Sequence, residues 1–330
     1  MATFRVCVIG TGFAAKQHAK NFSAIDGCDV IGVCSRSRPR AVEFAAAFGS
    51  VAYDNVDKML QTERPDVVSV ATGEYDHVDP VVKSLSAGAH VFCEKMLAHN
   101  VESAQDMIQA AREAKREIGV NYNYRFVPGH QVIHSALVDG LFGEPKLFIA
   151  HTHSYLWPHL LDTVRYLFGD PLYVQACSFD EPMLRPRLSG SDERSWLDRD
   201  TIVYHPSACT SATLAYPDRN FQVILAASSV VPMADHWWSF TLYGREAFVK
   251  VDNATRDRLN GERVQGLLAD NIRSLGNFSY EDTFSASIKA FVKSLAEGAP
   301  LPVAGEDGLK TMLLDRAVAT AAATKMACEF

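Results

Sequence analysis

The stretch "FRVCVIGTGFAAKQHAKNF", residues 4–22, constrains this chain more than any other. A short apolar run rich in β-branched residues ends in Gly-x-Gly-x-x-Ala, Gly10 to Ala15, and passes at once into a helical pattern. Strand, tight turn and helix in that order open a right-handed βαβ unit. Gly10 permits the turn, Gly12 lets a ligand approach the backbone, and the helix start offers unpaired N–H groups with partial positive charge. With Thr11, Phe13 and Ala14 these residues form a cradle suited to the pyrophosphate of a dinucleotide.

The same texture continues to about residue 122. "DVIGVCS" (29–35), "DVVSVAT" (66–72), "HVFC" (90–93) and "IGVNYN" (118–123) read as buried strands. Helical patterns fall between them over 13–24, 39–48, 55–62, 78–88 and 101–116, the last with Asn100 as its cap. Residues 1–122 are therefore predicted to form a Rossmann-type, doubly wound parallel sheet. Beyond residue 123 strands follow one another with little helix between them, from "EPKLFIAHTHSY" to "EAFVKVD". That is the pattern of an open, mainly antiparallel sheet, so 123–330 is predicted to be an α+β domain for substrate binding and oligomerisation. A polar loop over 190–200 and an amphipathic helix over 283–298 belong to it.

Composition narrows the class. The 330 residues are enough for two cores. A net charge of −7 gives no attraction to nucleic acid. The seven cysteines are scattered without a CxxC pair, as expected of reduced thiols in the cytoplasm, and no metal site is expected. No apolar run is long enough to cross a bilayer, and the chain enters its first strand at once, so a soluble protein without membrane partners is expected.

The end of the second strand bears on the dinucleotide. An NAD site usually carries Asp or Glu there, on the ribose 2′-hydroxyl. Here the segment is "VCSRSRPR", with Ser35 and Arg36 in that place and Arg38 and Arg40 beyond. A hydroxyl and guanidinium groups suit a 2′-phosphate, so NADP(H) is preferred and NAD(H) remains possible.

With these pieces placed, the sequence resembles the Gfo/Idh/MocA oxidoreductases, the family of glucose–fructose oxidoreductase and inositol dehydrogenase. The opening "VIGTGFAAKQHAKNF", the run "DVVSVATGEYDHVDPVVKSLSAGAHVFCEKMLA" and the helix "HLLDTVRYLFGDP" carry the likeness, as do "FTLYGREAFVKVDN" and "GAPLPVAGEDGLKTMLLDRAVATAAA". On that resemblance Glu94 and Lys95 are the family's Glu-Lys pair, followed by Met96 where the family has proline. Glu94 and Lys95 would bind the cofactor, with Lys95 near the nicotinamide, where it would stabilise a developing alkoxide. Thr72 and His77 look like cofactor-edge residues, and Asn123 and Arg125 like substrate-side residues at the domain crossing.

His159 is similar to the family's acid–base histidine, although the position four before it is Tyr155 rather than aspartate. Its place early in a helix favours the neutral imidazole a general base needs. A phenol beside a cation could also donate the proton, so Tyr155 stays open as the acid–base. His151, His153 and Tyr155 alternate and would share one face of a strand, His153 lining a polar pocket.

Together with the second-strand end, the resemblance implies an NADP(H)-dependent oxidoreductase that interconverts a secondary alcohol and a ketone on a sugar, cyclitol or related polyol. The helices found beyond residue 123 are too few to cover the second sheet's open face, so a homodimer or homotetramer is expected. Two alternatives stand beside it. One is a redox-neutral, glycoside-cleaving enzyme with tightly held cofactor; the other is a cofactor-sensing regulator without chemistry.

Overall fold

The computed structural model describes residues 4–180, 207–228, 238–253, 258–261 and 263–330. The stretch 190–200, expected as a polar loop, lies outside the described residues. The chain divides into two compact units. One runs to Tyr122 and regains Phe284–Met312; the other comprises Asn123–Thr283 and Leu313–Phe330.

The first unit alternates β1 (Phe4–Ile9), α1 (Phe13–Ser23), β2 (Cys28–Cys34), α2 (Arg38–Ala46), β3 (Val51–Tyr53), α3 (Val56–Glu63), β4 (Val67–Val70), α4 (Val78–Ser86), β5 (His90–Cys93), α5 (Val101–Ala114) and β6 (Ile118–Val120). Its six strands lie in the order β3-β2-β1-β4-β5-β6, all parallel. Val6, Cys7 and Val8 of β1 are fully buried, as continuous apolar strands must be when helices cover both faces. Asn100 caps α5 as expected, its Oδ1 accepting from the Ser103 N–H at 2.7 Å. Strand β3 escaped sequence reading because three residues are too few to show a period.

The second unit contains α6 (Pro128–Val138), β7 (Pro145–His153), α7 (Trp157–Phe168), β8 (Tyr173–Asp180), β9 (Ser207–Tyr216), β10 (Phe221–Ser228), β11 (Trp238–Gly244), β12 (Phe248–Asn253), β13 (Arg263–Gly266) and α8 (Ala269–Ser274). There follow α9 (Tyr280–Glu297), α10 (Gly305–Thr324) and β14 (Cys328–Glu329). Among the described residues eight strands form one sheet, β13-β12-β11-β7-β10-β9-β8-β14, antiparallel except where β10 runs beside β7. One face of β7 is covered, with Phe148 against Phe168 of α7 at 5.1 Å. The other leaves Ile149, paired in register with Ile224, and also Tyr243 and Phe248 exposed.

The expected domain of 123–330 needs one correction: the segment 284–312 packs with the first unit. Ile288, Phe291 and Val292 of α9 enter the core that holds Val6, Phe22 and Phe92. Gly119 in β6 makes this possible, since a Cβ there would stand 2.6 Å from the Phe291 ring. Val120 N–H then donates to the Val303 carbonyl at 3.1 Å, extending the sheet edge. Among the described residues no helix is long and apolar enough to cross a membrane.

Candidate functional site

In a parallel sheet of this order, the C-terminal strand ends beside the β1–β4 switch are where ligands bind. The first unit gathers most of its expected residues there. Gly10 follows β1 with φ +119°, and a Cβ on it would collide with the Ala71 carbonyl at the end of β4. Gly12, the cap of α1, faces the opposite situation: a Cβ on it would meet nothing within 4 Å. The first turn of α1 carries no acidic residue and its cap makes no side-chain hydrogen bond. Open space over a helix start with uncapped N–H groups fits a pyrophosphate, with Thr11, Phe13 and Ala14 around it.

At the end of β2, Ser35 Oγ lies 3.5 Å from Thr11 Oγ1. Arg36 is exposed and its guanidinium meets the Asp76 carboxylate at 3.1 Å. Arg38 reaches Asp54 at 3.8 Å, and Arg40 is exposed on α2. The second-strand end therefore has no carboxylate of its own, yet Asp76 from beyond β4 offsets the charge of Arg36.

Glu94 and Lys95 follow β5, and both are buried, Lys95 to 7% exposure. Burial pushes the Lys95 amine below its ordinary pKa, against the opposing pull of the Glu94 and Glu74 carboxylates. Glu74, which sequence reading passed over, is buried in the turn after β4. The Lys95–Met96 peptide bond is cis. His77 is completely buried, and its ring spans two loops: Nδ1 lies 3.0 Å from the Met96 carbonyl and Nε2 3.1 Å from the Thr72 carbonyl. Expected as a cofactor-edge residue, its ring braces the Lys95 loop against Thr72. Thr72 Oγ1 in turn donates to the Asp76 carbonyl at 3.2 Å.

In the second unit, Asn123 and Arg125 sit on a one-turn 3-10 helix, Asn123–Phe126, since the strand expected to reach residue 123 ends at Val120. Asn123 Nδ2 donates to Thr283 Oγ1 at 2.6 Å. Arg125 is held in a two-pronged pair by Asp162, Nε to Oδ2 at 2.8 Å and a terminal nitrogen to Oδ1 at 2.6 Å. Asp162 lies one turn after His159 on α7, so the acid on this helix serves Arg125. His159 is buried, its ring 4.7 Å from Tyr124, which also packs on Trp238 at 5.0 Å.

Tyr155 corrects a sequence expectation. It stands on a 3-10 turn, Ser154–Leu156, and not on the strand face with His151 and His153. Strand β7 stops at His153 because the His153 Nδ1 accepts the Tyr155 N–H at 3.1 Å. That bond leaves the proton of a neutral His153 on Nε2. Burial holds this imidazole down to about pKa 4, so it is neutral near pH 7. Among the described residues His153 Nε2, Asn123 Oδ1 and Trp238 Nε1 are buried without a hydrogen-bond partner. Such orphans are uncommon in proteins, and groups of this kind suit a hydroxylated ligand. Sequence reading missed Trp238 and Asp162, because an aromatic at a strand start and an acid on a helix have many ordinary explanations.

A sequence profile described as an oxidoreductase family with an NAD-binding Rossmann fold matches residues 4–122. D-apiose dehydrogenase of Paraburkholderia graminis is 29% identical over 229 residues, which are 63% of this chain and 59% of that protein, so the match spans less than two thirds of its length. Myo-inositol 2-dehydrogenase of Thermotoga maritima is 24% identical over 317 residues, 94% of this chain and 93% of that protein. The solved structure of the WlbA dehydrogenase of Bordetella pertussis, in complex with NADH and UDP-GlcNAcA, covers 100% of this chain and 98% of its own with a TM-score of 0.83. At 16% identity that likeness is one of fold.

Proposed function

We propose that this chain is an oxidoreductase of the Gfo/Idh/MocA family, a reading supported by the match over residues 4–122, and that it interconverts a secondary alcohol and a ketone on a sugar, cyclitol or related polyol. The observation that carries the reading is the buried Lys95 amine, on the same sheet edge as the Gly10–Gly12 cradle. A bound nicotinamide dinucleotide supplies the redox chemistry. Gly12 and the α1 start hold its pyrophosphate, and Ser35, Arg36 and Arg40 receive its ribose end. Lys95 polarises the substrate oxygen and stabilises the alkoxide that develops on it. His159, with Tyr155 as its partner or rival, moves the hydroxyl proton. His153, Asn123 and Arg125 bind substrate hydroxyls, His153 through its Nε2–H. Relatives named as dehydrogenases of inositol and apiose support this substrate class.

NADP(H) is the preferred cofactor in this proposal, with NAD(H) accepted. Support comes from the missing carboxylate at the end of β2, and Asp76 is the residue that moderates the preference. A panel of polyols and sugars with each cofactor, followed by absorbance of the reduced nicotinamide, tests both statements. Net reduction of cofactor with one polyol class is expected; turnover without it would favour the redox-neutral alternative. Arg36→Ala should weaken NADPH about tenfold or more and NADH far less. Asp76→Asn should strengthen NADPH. Equal loss for the two cofactors in Arg36→Ala would remove the 2′-phosphate assignment.

The open face of the eight-stranded sheet supports assembly as a homodimer or homotetramer. Ile149, Ile224, Tyr243 and Phe248 are each more than a third exposed, and apolar side chains grouped on one open sheet face suit a second copy of the chain. Light scattering at micromolar concentration should give a multiple of the 36.3 kDa chain. Ile149→Arg combined with Ile224→Arg should reduce it to a monomer.

A further inference from the structure

His18 occupies a place where a helix has no ordinary use for an imidazole. It lies on the buried face of α1 among Ala15, Ala19 and Phe22, with no exposed surface. Its ring packs 5.2 Å from Phe92 and 5.8 Å from Phe284. A polar ring so placed costs free energy unless both nitrogens are satisfied. Both are: Nδ1 lies 2.7 Å from Ser69 Oγ and Nε2 lies 3.0 Å from Glu94 Oε1.

The direction of these bonds follows from Glu94. A carboxylate only accepts, so the His18 Nε2 carries a proton and donates it. In the neutral ring Nδ1 then accepts the Ser69 hydroxyl. Asn121 Nδ2 donates to the same Glu94 oxygen at 2.7 Å, and the Lys95 main-chain N–H donates to Oε2 at 3.2 Å. Burial alone would raise the Glu94 pKa; the His18 hydrogen bond, the Lys95 charge and the Asn121 hydrogen bond outweigh it and hold the group below its ordinary value. The titratable groups facing Glu94 within its unit include His18, Lys95 and the buried Cys93 thiol, and those facing Lys95 include Glu94 and Glu74.

We propose that His18 is a positioning residue for the reaction, acting through Glu94: the Ser69–His18–Glu94 chain keeps Glu94 ionised and fixed in place, so that Lys95 retains its charge beside the substrate oxygen. The proposal rests on the oxidoreductase reading for its consequence in turnover, although the chain itself can be tested without it. Removing the His18 donor favours a proton on the buried Glu94 carboxyl. Lys95 then loses the Glu94 counter-charge, and its ammonium gives up a proton at lower pH.

Two variants separate position from packing. His18→Phe fills the space between Phe92 and Phe284 without a donor, whereas His18→Gln keeps a side-chain N–H. His18→Phe should lower kcat about 10- to 100-fold, as for loss of a buried hydrogen bond to a charged group, and move the basic limb of the rate profile to lower pH. NADH binding, followed by fluorescence, should stay within about threefold. His18→Gln should recover most of kcat. Glu94→Gln should reproduce the loss, and the double variant His18→Phe with Glu94→Gln should be no worse than either alone.

Carbon NMR of protein carrying lysine isotope-labelled at Cε, with the Lys95 signal assigned by Lys95→Arg, reads the Lys95 ionisation without turnover. A lower Lys95 pKa in His18→Phe is expected. An unmoved Lys95 titration in a folded His18→Phe protein would overturn the proposal, whatever the turnover. Absence of turnover with every polyol, alongside the expected Lys95 shift, would overturn the oxidoreductase reading and leave the His18 chain standing.

Discussion

Lys95→Met should lower kcat about 10²- to 10³-fold, the range for removing one donor to a developing oxyanion, while NADH still binds. Methionine matches the length of the lysine stem and fills the same buried volume, so the loss isolates the charge. Because only the transition state carries the alkoxide, kcat should fall far more than KM changes. The pH profile supplies the sign. Burial depresses the Lys95 pKa below its ordinary 10.5, with Glu94 and Glu74 opposing the shift. Activity that needs the ammonium is therefore full below that depressed value and falls as pH rises through it. The basic limb should lie below 10.5 in the natural protein and vanish in Lys95→Met. A basic limb that persists in Lys95→Met would assign it to another group.

His159→Ala should cost about 10²- to 10⁴-fold in kcat, the usual contribution of a positioned acid or base. It also removes the ring that packs 4.7 Å from Tyr124, so some lost stability accompanies it. Tyr155→Phe is the sharper companion, since it keeps the ring and deletes only the hydroxyl. With His159 as the acid–base, Tyr155→Phe should lower kcat less than about tenfold and leave the acidic limb in place. The reverse pattern, a large loss in Tyr155→Phe with His159→Ala nearly neutral, would make the phenol the proton carrier. Thermal melts of both variants separate chemistry from folding.

How far the residues could be read before folding depended on how local their causes are. The glycine turn was legible because Gly10 needs φ +119° and Gly12 needs only open space, and both demands show in the spacing of the motif itself. Lys95 was legible because a charged pair directly after an apolar strand sits at a sheet edge wherever that strand lands. The Asn100 cap was likewise a three-residue event. Tyr155 was misplaced by one local bond, the His153 imidazole taking its N–H and ending the strand early.

The rest came from contacts between distant residues. His18 and Glu94 are 76 positions apart, and Arg125 and Asp162 are 37 apart. In sequence His18 is a histidine on an apolar helix face, and nothing local tells its hydrogen bonds from those of any core imidazole. The period of α9 announces an amphipathic helix but not which core receives it. That was decided by Gly119, whose missing side chain admits Phe291. The sequence by itself determined the parallel sheet, the glycine turn after its first strand and the strand-end lysine, because periodicity and glycine conformation act within a few residues. Only the tertiary structure decided which buried groups complete that lysine's electrostatics, because burial and charge pairing depend on every segment that packs around it.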